Sequence, residues 1–117
     1  MRTVFITQHN PDFNFLKANA FGKLEFLLPA GRQLMHEPQS LVTELRDKLL
    51  PANDGDLLLC VGDPSVIGLA SAIMSEYLDG HLTFLKWDRQ SSQYYEVAVD
   101  ALDRPMTHRK EKVHGAQ

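Results

Sequence analysis

Residues 56–74 constrain the fold more than any other part of the chain. An apolar run over residues 57–61 ends in the turn Gly62-Asp63-Pro64, and a segment with helical apolar periodicity and small residues follows at once. This pattern is typical of a buried strand, a tight turn and a helix packed on a sheet. A strand this apolar needs cover, which helices supply in α/β proteins. The stretch therefore predicts the fold class, but it does not predict a reaction.

The hydrophobic pattern of the whole chain predicts five strands and two main helices. The helices are predicted at residues 38–50, where leucines recur every four residues, and at about residues 64–79, where Asp63 caps the first turn. The strands are predicted at residues 4–6, 23–28, 57–61, 82–87 and 94–99. The order β-β-α-β-α-β-β predicts an α/β fold with a mixed five-stranded sheet and a parallel centre. The long connection after the first strand allows either direction for that strand.

Length, cysteine usage and hydropathy limit the class of protein. The chain has 117 residues, which suits one domain with a single core. Its only cysteine, Cys60, lies in a predicted strand, so we expect a buried thiol and a reducing compartment. No apolar run approaches the ~18 residues that cross a bilayer, and the N-terminus lacks the apolar region of a signal peptide. We therefore expect a cytoplasmic protein without a membrane partner.

Charge is unevenly distributed along the chain. The net charge is −3, yet residues 103–117 hold four basic and two acidic side chains. We expect an α/β domain over residues 1–102 and a basic, flexible tail over residues 103–117. Duplex binding depends mainly on neutralising phosphates, so the acidic body argues against a broad nucleic-acid interface. Weak contact through the tail is the one nucleic-acid interaction that the composition allows.

Polar side chains near the predicted carboxyl ends of strands form a candidate ligand site. The candidates are Asp63, Asp88 and Arg89, with Arg32 nearby, and His9 joins them if the first strand is parallel. Open α/β sheets bind ligands at this edge, and an arginine can hold phosphate through two hydrogen bonds. A purely structural helix cap, with Gly62 supplying the turn, is the interpretation of Asp63 that its sequence context favours. The turn lacks both nucleotide-binding glycine fingerprints, and no zinc-ligand spacing or nucleophile elbow is present, so we expect no cofactor and no metal and assign no catalytic residue.

The segment around the last predicted loop mixes aromatic and charged residues. Trp87 lies before this polar loop, and Tyr94 and Tyr95 follow it. Aromatic residues beside an arginine are typical of protein interfaces and can also stack on bases. The alternative is an aromatic pair across the two strands that covers the hairpin. Trp87, Tyr94 and Tyr95 are therefore candidate interface residues.

Several short motifs resemble those of a group of small phage and prophage proteins of unknown function. The motifs are Ile6-Thr-Gln-His-Asn-Pro11, Phe21-Gly22, Gly62-Asp-Pro64 with Gly68, Leu85-Lys-Trp-Asp-Arg89, and Tyr94-Tyr95. The resemblance covers about residues 1–100 and leaves the basic tail outside. The resemblance implies a phage-encoded accessory protein in the host cytoplasm. It implies no activity, so it assigns no functional residue.

Two functions follow from these observations. The first is a phage accessory protein that binds a host or phage protein, or a second copy of itself, through the aromatic hairpin. The alternative is a small ligand-binding protein or enzyme that acts on a phosphorylated or nucleotide-like molecule at the carboxyl edge of the sheet. The lack of a recognisable catalytic constellation favours the first.

Overall fold

The computed structural model of the chain describes residues 1–103. Its strands are β1 (Thr3–Ile6), β2 (Lys23–Phe26), β3 (Leu57–Leu59), β4 (His81–Asp88) and β5 (Gln93–Asp100), and its α-helices are α1 (Pro38–Leu49) and α2 (Pro64–Tyr77). A short 3₁₀ helix, Leu16–Phe21, precedes β2. The predicted order of strands and main helices is confirmed. Residues 104–117 lie outside the described residues, so the basic tail stays a prediction.

The strands form one mixed sheet in the order β2-β1-β3-β4-β5. β1 is parallel to both of its neighbours, and β3 is parallel to β4, whereas β5 runs antiparallel to β4. The predicted mixed sheet with a parallel centre is therefore confirmed. The direction of β1, which the sequence left open, is parallel. The carboxyl ends of the first four strands consequently lie at one edge of the sheet.

Both α-helices lie on one side of the sheet, which we call the helix face. The chain moves in the same direction across the sheet from β2 to β3 and from β3 to β4, so right-handed crossovers place α1 and α2 on the same side. The buried residues of this face include Phe5, Leu28, Leu41, Leu45, Leu49, Leu58, Ala70, Met74 and Leu82.

The opposite side, which we call the loop face, is covered by the connection between β1 and β2. This connection moves across the sheet in the reverse direction, so the same handedness rule sends it over the other side. It contains no α-helix. It covers the sheet with Phe13, Phe15, the buried Ala18 and Phe21, which contact Val4, Ile6, Leu57, Leu59 and Leu85.

The helix boundaries follow from local chemistry. α1 buries Leu41, Leu45 and Leu49, the stripe that the leucine spacing predicted. α2 begins with Pro64 directly after Asp63, whose carboxylate accepts a hydrogen bond from the Ser65 amide at 2.8 Å. Within residues 1–103, no helix combines the length and hydrophobicity that crossing a bilayer requires.

Candidate functional site

The loops after β1, β2 and β3 enclose a groove of about 590 Å³ at the carboxyl edge of the sheet. β1 connects to a neighbour on one side and β3 to a neighbour on the other, so this is the topological switch point where open α/β sheets bind ligands. We call it the switch-point groove; it is lined by Gln8, Gly31, Arg32, Gln33, Leu34, Met35, Asp63 and Ser65. The structure thus brings Asp63 and Arg32 together.

The side chain of Gln8 links the loops that line this groove. Its side-chain nitrogen donates to the backbone oxygens of Pro29 at 3.2 Å and Arg32 at 2.7 Å, and its side-chain oxygen accepts from the Asp63 amide at 3.0 Å. Gln8 is only 5% exposed. One buried amide therefore ties the loops after β2 and β3 to the end of β1. Gln8 was not predicted from the sequence, although a polar residue two positions after an apolar strand was a signal that could have found it.

The charged side chains of the switch-point groove are paired within the chain. The Asp63 carboxylate caps α2, and the Arg32 guanidinium forms an ion pair with Glu44 of α1. A phosphate would have to displace Glu44 from Arg32 and would meet the Asp63 carboxylate at the helix N-terminus. Within the described residues, no group of three or more His, Cys, Asp or Glu side chains could hold a metal ion. The groups of the groove that could bind an anion, the Arg32 guanidinium and the first turn of α2, are therefore already paired with carboxylates of the chain.

The other predicted ligand residues lie outside the lining of this groove. The His9 ring contacts Phe26 and Phe15, with ring centroids 5.0 and 6.0 Å apart. Asp88 shapes the β4–β5 turn, where it accepts hydrogen bonds from the Ser91 hydroxyl at 2.8 Å and the Gln90 amide at 3.2 Å, and these bonds lower the pKa of its carboxyl group. Arg89 is exposed in the same turn. Their role in ligand binding stays a prediction.

Trp87 and Tyr94 form the cross-strand aromatic pair that was the alternative interpretation of this segment. They are register partners with ring centroids 4.9 Å apart at an interplanar angle of 69°. Tyr94 is 7% exposed, its hydroxyl has no hydrogen-bond partner within residues 1–103, and burial raises its pKa. Lys17 lies 5.5 Å above the Trp87 ring and donates to the Ser92 carbonyl oxygen at 3.0 Å. The pair therefore fastens the hairpin to the loop face.

Trp87 also separates two cavities beside the hairpin. One, of about 380 Å³, opens where β3 and β4 diverge and is lined by Phe13, Leu59, Cys60 and residues 84–87. The other, of about 400 Å³, adjoins Lys17 and Tyr94. Burial is the main influence on the pKa of the Cys60 thiol and raises it. The thiol is therefore protonated at neutral pH and is not an activated nucleophile.

The outer edge of β5 is the most open part of the sheet. β5 pairs with β4 over eight consecutive residues without a bulge, and no described strand pairs with its other side. Tyr95, Val97 and Val99 point to the helix face, because their register partners on β4 include Phe84 and Leu82, which belong to that core.

These three side chains, together with the outer backbone of β5, form what we call the β5 edge. Tyr95 is 46% exposed, Val99 is 39% exposed and Val97 is half-buried. α2 packs against β4, so β5 extends past the cover that the helices give. Of these three residues only Tyr95 was predicted from the sequence. The alternation of Val97 and Val99 with Tyr95 along the last strand was the signal that could have found the valines.

Residues 2–101 match the phage Pam3 gp32-like protein family. The chain belongs to this family. The match covers all five strands and both α-helices, and it confirms the resemblance to phage proteins of unknown function. No curated protein and no solved structure shows a significant match. The chain is thus a phage protein of a family whose description gives no activity. The geometry of the molecule is therefore the evidence on which a function can be proposed.

Proposed function

We propose that this Pam3 gp32-like chain is a protein-binding module that pairs with a strand of its partner through the β5 edge. The observation that carries the proposal is a regular eight-residue edge strand whose outer side is unpaired within the described residues. Such an edge presents a row of backbone donors and acceptors. A partner strand that joins it gains affinity from main-chain hydrogen bonds and specificity from the side chains on each face.

The composition of β5 supports this role. Proteins usually protect an edge strand by shortening it, bulging it, or adding proline or charged residues, especially lysine. β5 contains neither lysine nor proline and has no bulge. Its charged residues Glu96 and Asp100 share one face, and the other face carries Tyr95, Val97 and Val99. The strand is therefore available for pairing and offers an apolar stripe beside its backbone.

The aromatic residues of the hairpin divide into two roles under this proposal. Tyr94 lies almost fully buried against Trp87 and holds the hairpin in shape. Tyr95 lies on the opposite face at the β5 edge and is the aromatic anchor for a partner. Trp87, which is 38% exposed, borders the contact from the loop face.

Site-specific photo-crosslinking tests the proposal. The full chain, with a benzophenone amino acid in place of Tyr95, is produced in phage-infected host cells and irradiated, and the adducts are identified by mass spectrometry. The matched control carries the same group in place of Leu50, which is 67% exposed and lies at the end of α1 rather than on β5. We expect a defined protein adduct from position 95 and none from position 50. Equal adducts from both positions, or none from position 95, would refute the proposed function.

A further inference from the structure

We infer that the strand that joins β5 is the β5 strand of a second copy of this chain, antiparallel to the first and centred on Val97. The inference rests on the proposed function, because it names the occupant of the same edge. It follows from how the side chains of β5 match a copy of themselves.

Two-fold symmetry leaves few ways to pair β5 with itself. The axis of an antiparallel pair is perpendicular to the sheet, so residues directly opposite each other lie on the same face. With at least five residues of β5 paired, the centre can fall on Tyr95, Glu96, Val97 or Ala98. A centre on Tyr95 pairs only residues 93–97 and leaves Val99 without a partner. In the register centred on Val97, Val97 faces Val97 of the copy and Tyr95 faces Val99 of the copy. This register matches the whole apolar stripe of one chain with that of the other.

The two neighbouring registers oppose like charges. Centring on Glu96 places the two Glu96 carboxylates opposite each other, and centring on Ala98 places Glu96 opposite Asp100. Glu96 is kept ionised by an ion pair with Arg2, whose guanidinium donates two hydrogen bonds of 2.8 Å and lowers the pKa of Glu96. The ion pair offsets part of the repulsion between two Glu96 carboxylates but does not remove their direct opposition. Like charges directly opposite each other destabilise a sheet. In the register centred on Val97, Glu96 instead faces Ala98.

The fold leaves room for this pairing. Both α-helices lie over the inner strands of the helix face, and the sheet ends at β5 within the described residues. Pairing would join two five-stranded sheets into one continuous sheet. A single strand pair buries less than a standard interface of about 1,600 Å², so we expect a dimer whose population depends on concentration.

Cysteine trapping tests both the partner and the register. Val97→Cys, Glu96→Cys and Ala98→Cys are each made in the full chain carrying Cys60→Ser, so that the introduced thiol is the only one. Directly opposite residues of antiparallel strands have Cα atoms ~4.5–5.5 Å apart, which is within reach of a disulfide bond. Only the residue at the centre of the pairing faces its own copy, and each of its two neighbours lies two residues away from its copy, too far to form the bond. We expect Val97→Cys to give most of the covalent dimer under mild oxidation. The Glu96→Cys control is stringent, because the substitution removes the carboxylate repulsion that disfavours the register centred on residue 96. A dimer trapped at position 96 is therefore as easy to obtain as the sequence allows.

Light scattering without cross-linking provides the second measurement. We expect the mass of the unmodified chain to rise from that of one chain towards that of two as concentration increases. Val99→Lys, which places a charge on an exposed part of the stripe, should abolish that rise, and Leu50→Lys should leave it unchanged. A monomer at all concentrations, or preferential trapping at position 96 or 98, would overturn the inference. If the purified chain stays monomeric while the crosslinker at position 95 captures a different protein in cells, the dimer is ruled out and the proposed function stands. If the crosslinker at position 95 captures no protein, both the dimer and the proposed function fail.

Discussion

The sheet ends in β2 on one side and in β5 on the other, and the two edge strands differ in length and anchoring. β2 has four residues and β5 has eight. The chain leaving β2 is buried at once through Leu27 and Leu28, and Lys48 of α1 donates to the Leu27 carbonyl oxygen at 2.8 Å. β5 has no comparable cover. The chain protects one edge by shortening and burying it and leaves the other regular, and this contrast is the basis of the proposal that the β5 edge binds a partner strand.

Truncating buried and exposed apolar residues near the two edges should give the largest contrast. Leu28→Ala empties a position that is 1% exposed, and we expect it to lower the free energy of unfolding by about 2–5 kcal/mol. Val99→Ala, at 39% exposure, should change it by less than about 1 kcal/mol. Urea unfolding at low protein concentration measures both. Comparable losses would mean that β5 is as well packed as the β2 side.

Two glycine substitutions probe how tightly β2 is held. A Cβ at Gly22, directly before β2, would overlap the backbone oxygen of Arg2, so Gly22→Ala should cost about 1–3 kcal/mol of unfolding free energy. Gly68→Ala is the control, because a Cβ there meets nothing within 4 Å and helix α2 should gain up to about 1 kcal/mol. Melting temperatures should therefore move in opposite directions. A neutral Gly22→Ala would show that the start of β2 is looser than the close approach to Arg2 indicates.

Removing Gln8 should loosen the loop after β2 without altering β5. Gln8→Ala leaves the Arg32 carbonyl oxygen and the Asp63 amide without their partner, and we expect a loss of about 1–3 kcal/mol. Hydrogen exchange should speed up at the Asp63 amide and stay unchanged along β5. Gln33→Ala, in the same groove but exposed, is the control. Faster exchange along β5 as well would mean that the two edges are coupled.

The smallest effect is expected at the turn that leads into β5. Hydrogen bonds from Ser91 and Gln90 lower the pKa of Asp88 in the folded chain. Their contribution is complete above the ordinary pKa of an aspartate and disappears as the pH falls through the lowered value. Ser91→Ala should move the Asp88 titration midpoint, followed by NMR, upwards, and Ser92→Ala should leave it in place. An unchanged midpoint in Ser91→Ala would show that the hydroxyl does not hold the carboxylate.

The sequence predicted the elements of the fold well because their apolar periodicity is local. It could not predict the direction of β1, since the following connection has no α-helix and can either reverse or cross the sheet. It also could not reveal Gln8, whose partners are backbone atoms of Pro29 and Arg32 that only the fold brings close.

The candidate ligand site shows a different limit. Asp63 and Asp88 both follow parallel strands, so the sequence placed them at one edge. The pairing of β3 with β4 stops at Phe84, and β4 continues to Asp88 in pairing with β5 alone, so Asp88 lies at the β4–β5 turn and outside the lining of the switch-point groove. Topology alone predicted that Asp63 and Asp88 would lie at one site. The length of β4, which apolar periodicity predicts poorly, places Asp88 outside that site.

The position of β1 between β2 and β3 has a consequence for synthesis of the chain. β1 leaves the ribosome first, yet its inner partner is β3, with Val4 opposite Leu57. Until β3 emerges, β1 can pair only with the four-residue β2. Helix α1, which lies between β2 and β3 in the chain, has no complete sheet to pack on at that stage. Contacts this distant in sequence slow folding. We therefore expect the nascent chain to stay unfolded through its first half and to fold late, once α2 and β4 are available.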